Sequence, residues 1–294
     1  MRDAKYRYEE SLKSPLSDEL VNTCLLRPVA GQITRILYPT RITPNGVTAA
    51  SLLAGLAAAA LYATGYSLPI AGLLVTLKDL LDSADGQLAR ARGESSRKGR
   101  FLDSVGDILV DLLVFGAIGW YLVRATGSLW MMLLAAAGLS GMTLRVSYHV
   151  YCHSAYLHLE DRYSLNRLRE EFAAGDASED AATRLLHKLY LFFYGWQDRL
   201  MESIDGWCAG KELSQREKSE WYGDTIALRF SGLIGFGTEF LLLTLCSLFG
   251  KLELYIYLNL FVMNGIAAAA ILYRRFVLRN RILGTTHKSN GTAD

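Results

Sequence analysis

Charged residues are few in this sequence and unevenly placed: Asp, Glu, Lys and Arg make up 20% of its 294 residues, against roughly 25% in an ordinary soluble domain. Neither sign dominates, since 31 Lys and Arg face 29 Asp and Glu, which argues against a nucleic-acid binder and against an acidic tail. Cysteine is also scarce. Cys24, Cys152, Cys208 and Cys246 are scattered and imply no disulfide framework. No secretory signal is expected, because residues 1–40 are polar and charged. What the sequence has instead is 51% hydrophobic residues, gathered into runs that carry no charge at all.

Residues 42–77, 125–144 and 254–273 are such runs. A hydrocarbon core of about 30 Å is crossed by roughly 20 helical residues. The first run therefore holds one span, a turn at Thr64-Gly65 and most of a second. Two less clean segments complete the set: 103–123, with Asp103, Asp107 and Asp111, and 230–249, with Glu239. Six spans are expected, at 45–64, 67–85, 103–123, 127–149, 229–249 and 253–273.

The predicted fold is an all-α integral membrane protein, six transmembrane helices preceded by an N-terminal amphipathic interfacial helix. Its expected parts are a cytoplasmic segment 1–43, helices one to four over 44–150, a cytoplasmic insertion 151–228, helices five and six over 229–275, and a tail 276–294. With both termini inside, 27 of the 31 Lys and Arg fall on the cytoplasmic side and only Arg124 and Lys251 outside, the bias of a multi-pass inner-membrane protein.

Two stretches outside the spans read as interfacial helices. From Ser17, a candidate N-cap, the residues Leu20, Val21, Leu25, Val29, Ile33, Ile36 and Leu37 recur at helical steps, with Pro28 as a kink point. A second starts near Ser178, where Leu185, Leu186, Leu189, Phe192, Phe193, Trp196, Leu200 and Ile204 form one stripe. The segment FAAGDASED before it reads as a flexible connection.

Carboxylates in a span are expensive and point to function. Asp82 and Asp85 are three apart and Asp103 and Asp107 four apart, so each pair projects from one helix face. Two adjacent helices joined by a short basic loop bring these four groups together, and such a set repels itself unless a divalent cation neutralises it. Hard oxygen ligands without His or Cys select Mg²⁺ or Mn²⁺, usually to serve a substrate phosphate. Gly86 and Gly99 permit close approach of a ligand, Arg90 reaches anionic oxygens, and Ser95, Ser96, Arg97 and Lys98 are further donors.

The run Asp82-x2-Asp85-Gly86-x2-Ala89-Arg90-x8-Gly99-x3-Asp103-x3-Asp107 matches every fixed position of the signature of the CDP-alcohol phosphotransferases, which this sequence resembles over roughly 1–150 and 229–275. Thr43-Pro44-Asn45 and Thr48 belong to the same resemblance, and the insertion near 155–226 lies outside it. The resemblance implies displacement of CMP from a CDP-linked alcohol by the hydroxyl of a second alcohol, on the cytoplasmic side of the membrane, in a homodimer. Asp82, Asp85 and Asp103 would bind metal. Asp107 would act as general base and as a further metal ligand, and Asn45, Gly86, Arg90 and Gly99 would contact the CDP moiety. The expected donor is CDP-diacylglycerol and the expected acceptor a small alcohol. The alternative is a soluble CDP-amino-alcohol with diacylglycerol as acceptor, since KYRY and SPLS near the N-terminus resemble the eukaryotic choline and ethanolamine enzymes. From another class, a divalent-cation transporter would need acidic residues at midplane and at the outer ends of its spans, whereas here they gather at the inner ends beside a basic loop.

Other residues carry competing readings. Arg145 and Arg229 suit an anionic acceptor such as a polyol phosphate, or are ordinary cytoplasmic flanking charges. Lys78 and Asp79 read as a buried pair or as groups reaching for water, and Asp111 as a support of the metal site or a helix contact. His149, Cys152, His153 and His158, interleaved with Tyr148, Tyr151 and Tyr156, read as an aromatic interfacial belt in preference to a zinc site. Trp196, Trp207 and Trp221 read as interfacial anchors, and Glu239 has no assigned role.

Overall fold

The computed structural model describes residues 6–12, 19–160, 170–171 and 179–283, and every regular element among them is helical. Ser17, Ser178 and most of FAAGDASED lie outside the described residues. After a single turn, α1 (Tyr8–Ser11), come a π-type turn at Asn22–Leu26 and α2 (Arg27–Leu37). The π-type turn precedes Pro28, which sits in the first turn of α2. The main helices are α3 (Pro44–Thr64), α4 (Leu68–Arg92), α5 (Arg97–Thr126), α6 (Trp130–Leu159) and α7 (Ala181–Ala209). They are followed by α8 (Gln215–Tyr222), α9 (Thr225–Gly232), α10 (Phe236–Leu248) and α11 (Leu252–Leu283).

Local chemistry fixes the ends that matter most. Thr43 caps α3 by accepting from Gly46 N at 3.2 Å, with Pro44 at the first helical position. Ser96 caps α5 by accepting from Gly99 N at 3.1 Å. At the other end of the hairpin Gly93 takes φ 65°, a left-handed turn that only glycine enters without strain. The link between α4 and α5 is therefore only residues 93–96. The helix over the second expected span, α4, runs to Arg92, beyond the expected 85, and α5 starts at Arg97, before the expected 103.

Pro44–Thr64, Arg97–Thr126, Trp130–Leu159, Thr225–Leu248 and Leu252–Leu283 are long and apolar enough to cross a membrane. The helix α4 does not join them, because Lys78, Asp79, Asp82, Asp85, Arg90 and Arg92 all lie on it. Apolar side chains fill both the inside and the outside of the bundle. Tyr62, Phe115, Ile118, Leu243 and Tyr255 are in one interior cluster, while Leu53, Leu73, Leu113 and Phe261 point outward. An exterior as apolar as the core removes the drive to bury one face, so association rests on close packing and buried polar contacts. Gly55 supplies the first: a Cβ there would lie 2.4 Å from Val110. The second join α4 to α10, where Thr76 and Thr244 hydroxyls meet at 2.8 Å and Thr244 Oγ1 donates to Gly72 O at 2.9 Å.

Against this frame α2 lays its small face, Ala30, Gly31 and Thr34, on α4, and Thr34 Oγ1 donates to Ala84 O at 3.2 Å. Leu25, Val29 and Ile36 of the expected stripe face outward. The helix α7 repeats the pattern: Leu185, Phe192 and Trp196 are exposed, and its polar face, with His187, Gln197 and Asp205, is turned inward.

Two readings of the aromatic residues change. Tyr148, His149, Cys152 and His153 are buried and form no surface belt, because α6 continues to Leu159 and is covered there by α7 and α9. Trp221 is also buried, its Nε1 donating to Asp205 Oδ1 at 2.9 Å, whereas Trp196 and Trp207 are exposed.

Candidate active site

A cavity of about 440 Å³ opens where α3, α4, α5, α6 and α7 come together. Asp79, Asp82 and Asp85 from α4 and Asp103 and Asp107 from α5 line one side of it. The short link of residues 93–96 holds these two helices antiparallel, and the three- and four-residue spacings then turn the carboxylates toward one another. One oxygen from each of Asp82, Asp85 and Asp103 lies within 4.8 Å of the others, a set that suits a single divalent cation. Asp82 Oδ1 is buried and, among the described residues, accepts no hydrogen bond. A buried carboxylate oxygen left unpaired beside two others fits a bound cation.

Asp85 is held in place by Thr48 Oγ1, which donates to its Oδ2 at 2.5 Å from the second turn of α3. Asp107 lies one turn deeper than Asp103, outside the three-carboxylate group, and Lys78 Nζ donates to its Oδ1 at 2.5 Å. Lys78 and Asp79 are both buried; Asp79 lines the cavity, and Lys78, outside the lining, is a salt-bridge partner of Asp107 and does not reach for water. Asp111 is buried below the cavity and does not line it.

Asn45, Gly86, Arg90 and Gly99 line the same cavity. Arg90 folds back along its helix so that a Cβ on Gly86 would lie 3.2 Å from its Nη1, while its Nε donates to Ser11 O at 2.7 Å. Asn45 faces Gly99 across the α3–α5 contact, its Oδ1 3.3 Å from where a Cβ would stand. The basic link behaves differently from its expected donor role. Arg97 and Arg100 are both bound by Glu170, at 2.7 and 2.6 Å, Arg97 also by Glu179 at 3.0 Å, and Lys98 by Asp180 at 2.9 Å.

Arg145 and Arg229 do not line the cavity. Arg145 is buried between α6, α10 and α11, where its Nη2 donates to Glu239 Oε2 at 2.7 Å and its Nη1 to Asn264 Oδ1 at 2.5 Å. Glu239 is completed by Tyr255 and Asn259, at 2.7 and 2.5 Å. The Arg145 guanidinium is thus paired in the interior with a carboxylate 94 residues away. Arg229 is exposed on α9.

Several residues of the site are absent from the sequence reading. Glu19 lines the cavity and accepts from Phe236 N and Gly237 N, at 3.0 and 2.7 Å, at the start of α10. Arg92 donates to the carbonyls of Leu37, Tyr38, Thr40 and Ile42 and so fixes the loop that leads into α3. From the insertion, Tyr190, Tyr194 and Asp198 line the wall opposite the aspartates. Their four-residue steps put them on one helix face, a signal that was present in the sequence opposite the apolar stripe.

Fold and site together define a polytopic helical membrane protein with a carboxylate cluster between two helices that has the geometry to hold a divalent cation. The chain belongs to the CDP-alcohol phosphatidyltransferase family, whose profile matches residues 41–157. Among similar proteins, the bifunctional IPC transferase and DIPP synthase of Thermococcus kodakarensis is 32% identical over 162 residues, covering 52% of this chain and 35% of that protein. The phosphatidylinositol phosphate synthase of Mycobacteroides abscessus is 36% identical over 105 residues, covering 35% of this chain and 46% of it. The inner membrane protein YnjF of Escherichia coli is 30% identical over 185 residues, covering 58% of this chain and 80% of it. The match thus spans little more than a third of the Thermococcus protein's length.

Proposed function

We propose that the chain transfers a phosphatidyl group from CDP-diacylglycerol to the hydroxyl of a small alcohol, with release of CMP. The observation that carries this is the meeting of Asp82, Asp85 and Asp103 in a cavity that also holds Asn45, Gly86, Arg90 and Gly99. In this reading the three aspartates hold Mg²⁺ or Mn²⁺, as an all-oxygen donor set without His or Cys favours. When bound, that ion neutralises the diphosphate and makes CMP a better leaving group. Asn45, Gly86, Arg90 and Gly99 receive the CDP moiety.

Asp107 takes the proton of the attacking hydroxyl. The acceptor oxygen forms a bond to the phosphatidyl phosphorus, the bond from that phosphorus to the bridging oxygen breaks, and its electron pair leaves with CMP. Lys78 engages only Oδ1 of Asp107, which fixes the carboxylate's orientation while Oδ2 is left to accept.

The same reading makes α4 a sixth span whose charged face is covered by α2, α3, α5 and α10, and sets α2 with Leu25, Val29 and Ile36 in the membrane interface. It places both termini and the cavity on the cytoplasmic side, in an inner membrane, with two copies associated. The test is CMP release by the purified chain in lipid nanodiscs with Mg²⁺ and CDP-diacylglycerol. Release that needs an acceptor and is lost in Asp107→Asn supports the reading. Absence of Mg²⁺-dependent CDP binding rejects it.

A further inference from the structure

The wall that faces the aspartates is built by the insertion, beyond the residues the family profile matches. Behind it, buried and outside the cavity lining, is Glu170, which is 4% exposed. Oε1 accepts from Arg97 Nη2 at 2.7 Å and Oε2 from Arg100 Nη2 at 2.6 Å, so one carboxylate bridges two guanidinium groups of α5 as a phosphate would. Three elements secure it. The His187 ring lies 3.6 Å from Oε1, the Asp198 carboxylate accepts from the Glu170 backbone N–H, and Phe101 sits under both arginines at 5.4 and 5.0 Å.

Arg97 and Arg100 line the cavity from α5, next to this wall, and both are engaged. Beside them Asp198 adds a carboxylate to which, among the described residues, no basic side chain is bonded, and Tyr190 and Tyr194 add phenol groups. A phosphate brought here would have to displace Glu170 and leave that carboxylate buried and unpaired next to Asp198, an arrangement that disfavours binding strongly. A hydroxyl or amine instead finds in Asp198 a carboxylate that accepts its hydrogen bond.

We propose that the acceptor is an alcohol carrying no phosphate, a polyol or an amino alcohol, and that Glu170 sets this preference by occupying Arg97 and Arg100. The proposal rests on the transferase reading above. The chemistry is unchanged by it: the acceptor oxygen bonds to phosphorus, its proton goes to Asp107, and CMP departs with the electron pair.

The experiment measures CMP release from CDP-diacylglycerol by the full chain in nanodiscs with Mg²⁺. Inositol, glycerol, serine and choline form one arm, and glycerol 3-phosphate and inositol phosphate the other. The expected result is a kcat/KM at least about tenfold higher for one of the unphosphorylated alcohols, a difference of roughly 1.4 kcal/mol. In Glu170→Gln, which leaves the two arginines short of a charge, the ratio should fall toward unity through a lower KM for the phosphorylated acceptors. A purely structural role for Glu170 would instead lower both arms together. Asp198→Asn gives a second readout, a raised KM for the preferred alcohol with kcat retained. A wild-type preference for a phosphorylated acceptor overturns the proposal, as does a ratio unmoved by Glu170→Gln or turnover with none of the alcohols while CDP still binds. Loss of Mg²⁺-dependent CDP binding strikes instead at the transferase reading.

Discussion

The Lys78 ammonium lies 2.5 Å from Asp107 Oδ1, and the two side chains are 4% and 13% exposed. A pair so enclosed is sensitive to the loss of one member and tolerant of the loss of both, because desolvation penalises an unpaired charge far more than an absent one. Lys78→Met should destabilise the protein by about 3–5 kcal/mol. The double variant Lys78→Met with Asp107→Leu should regain most of that while staying inactive. Asp107→Asn alone should lower turnover by about 10²–10⁴-fold, the usual contribution of a general base. Thermal unfolding in detergent and CMP release, measured on the same preparations, separate the two effects.

The Arg145–Glu239 pair should act on stability alone. Glu239→Ala strips the salt bridge and two further hydrogen bonds from the interior, with an expected loss of about 3–5 kcal/mol. Arg145→Met combined with Glu239→Leu should recover much of it. Acceptor KM in the double variant should match wild type, because neither side chain lines the cavity. A raised KM would restore Arg145 to the acceptor site.

The insertion carries opposing pH signatures. Burial pushes the Asp198 carboxyl up to about 6, so its contribution to stability is full below its ordinary value of 3.8 and is lost as pH rises through 6. Asp198→Asn should therefore melt higher than wild type above pH 6, with the gap closing toward pH 4. Burial also pushes Glu170 up, but the hydrogen bonds from Arg97 and Arg100 outweigh it and hold the carboxyl below its ordinary 4.5. Its contribution is present above 4.5 and lost as pH falls through the folded value, so Glu170→Gln should be the less stable protein at neutral pH. Melting curves between pH 4 and 8 in one buffer series check both signs.

Gly235 leaves the space that Glu19 fills: a Cβ there would stand 2.0 Å from Glu19 Cδ. Gly235→Ala should expel the carboxylate from the start of α10, with a loss of about 1 kcal/mol typical of a removed helix cap. Protease sites on the N-terminal side of Arg27 should then be cut faster than in wild type, which gel analysis of timed digests would show.

What the sequence discloses and what it conceals divide along the distance over which a residue finds its partner. Asp82, Asp85 and Asp103 were legible because helix geometry and a short link bring them together. The helix ends at Thr43, Gly93 and Ser96 rest on contacts just as local. Five of the expected spans correspond to helices apolar enough to cross a membrane, and α4 alone falls short, since its polar residues serve the cavity. Neither reading of Arg145, acceptor contact or flanking charge, includes its pairing with Glu239, because Glu239 lies far along the chain and nothing local declares that they meet. Asp198 lies on the inner face of α7, behind the apolar stripe of its outer face, and Glu170 lies outside any helix whose period would announce it.

The contact between Glu19 and Gly237 joins residues 218 positions apart and completes one side of the cavity. During synthesis the ribosome has delivered α3 through α6, with all of the aspartates, long before the residues that anchor Glu19 exist. The carboxylate cluster is thus assembled early, while the wall beside it is finished only when α10 follows into the bilayer, so a chain interrupted before Phe236 would hold a cation site with one side still open.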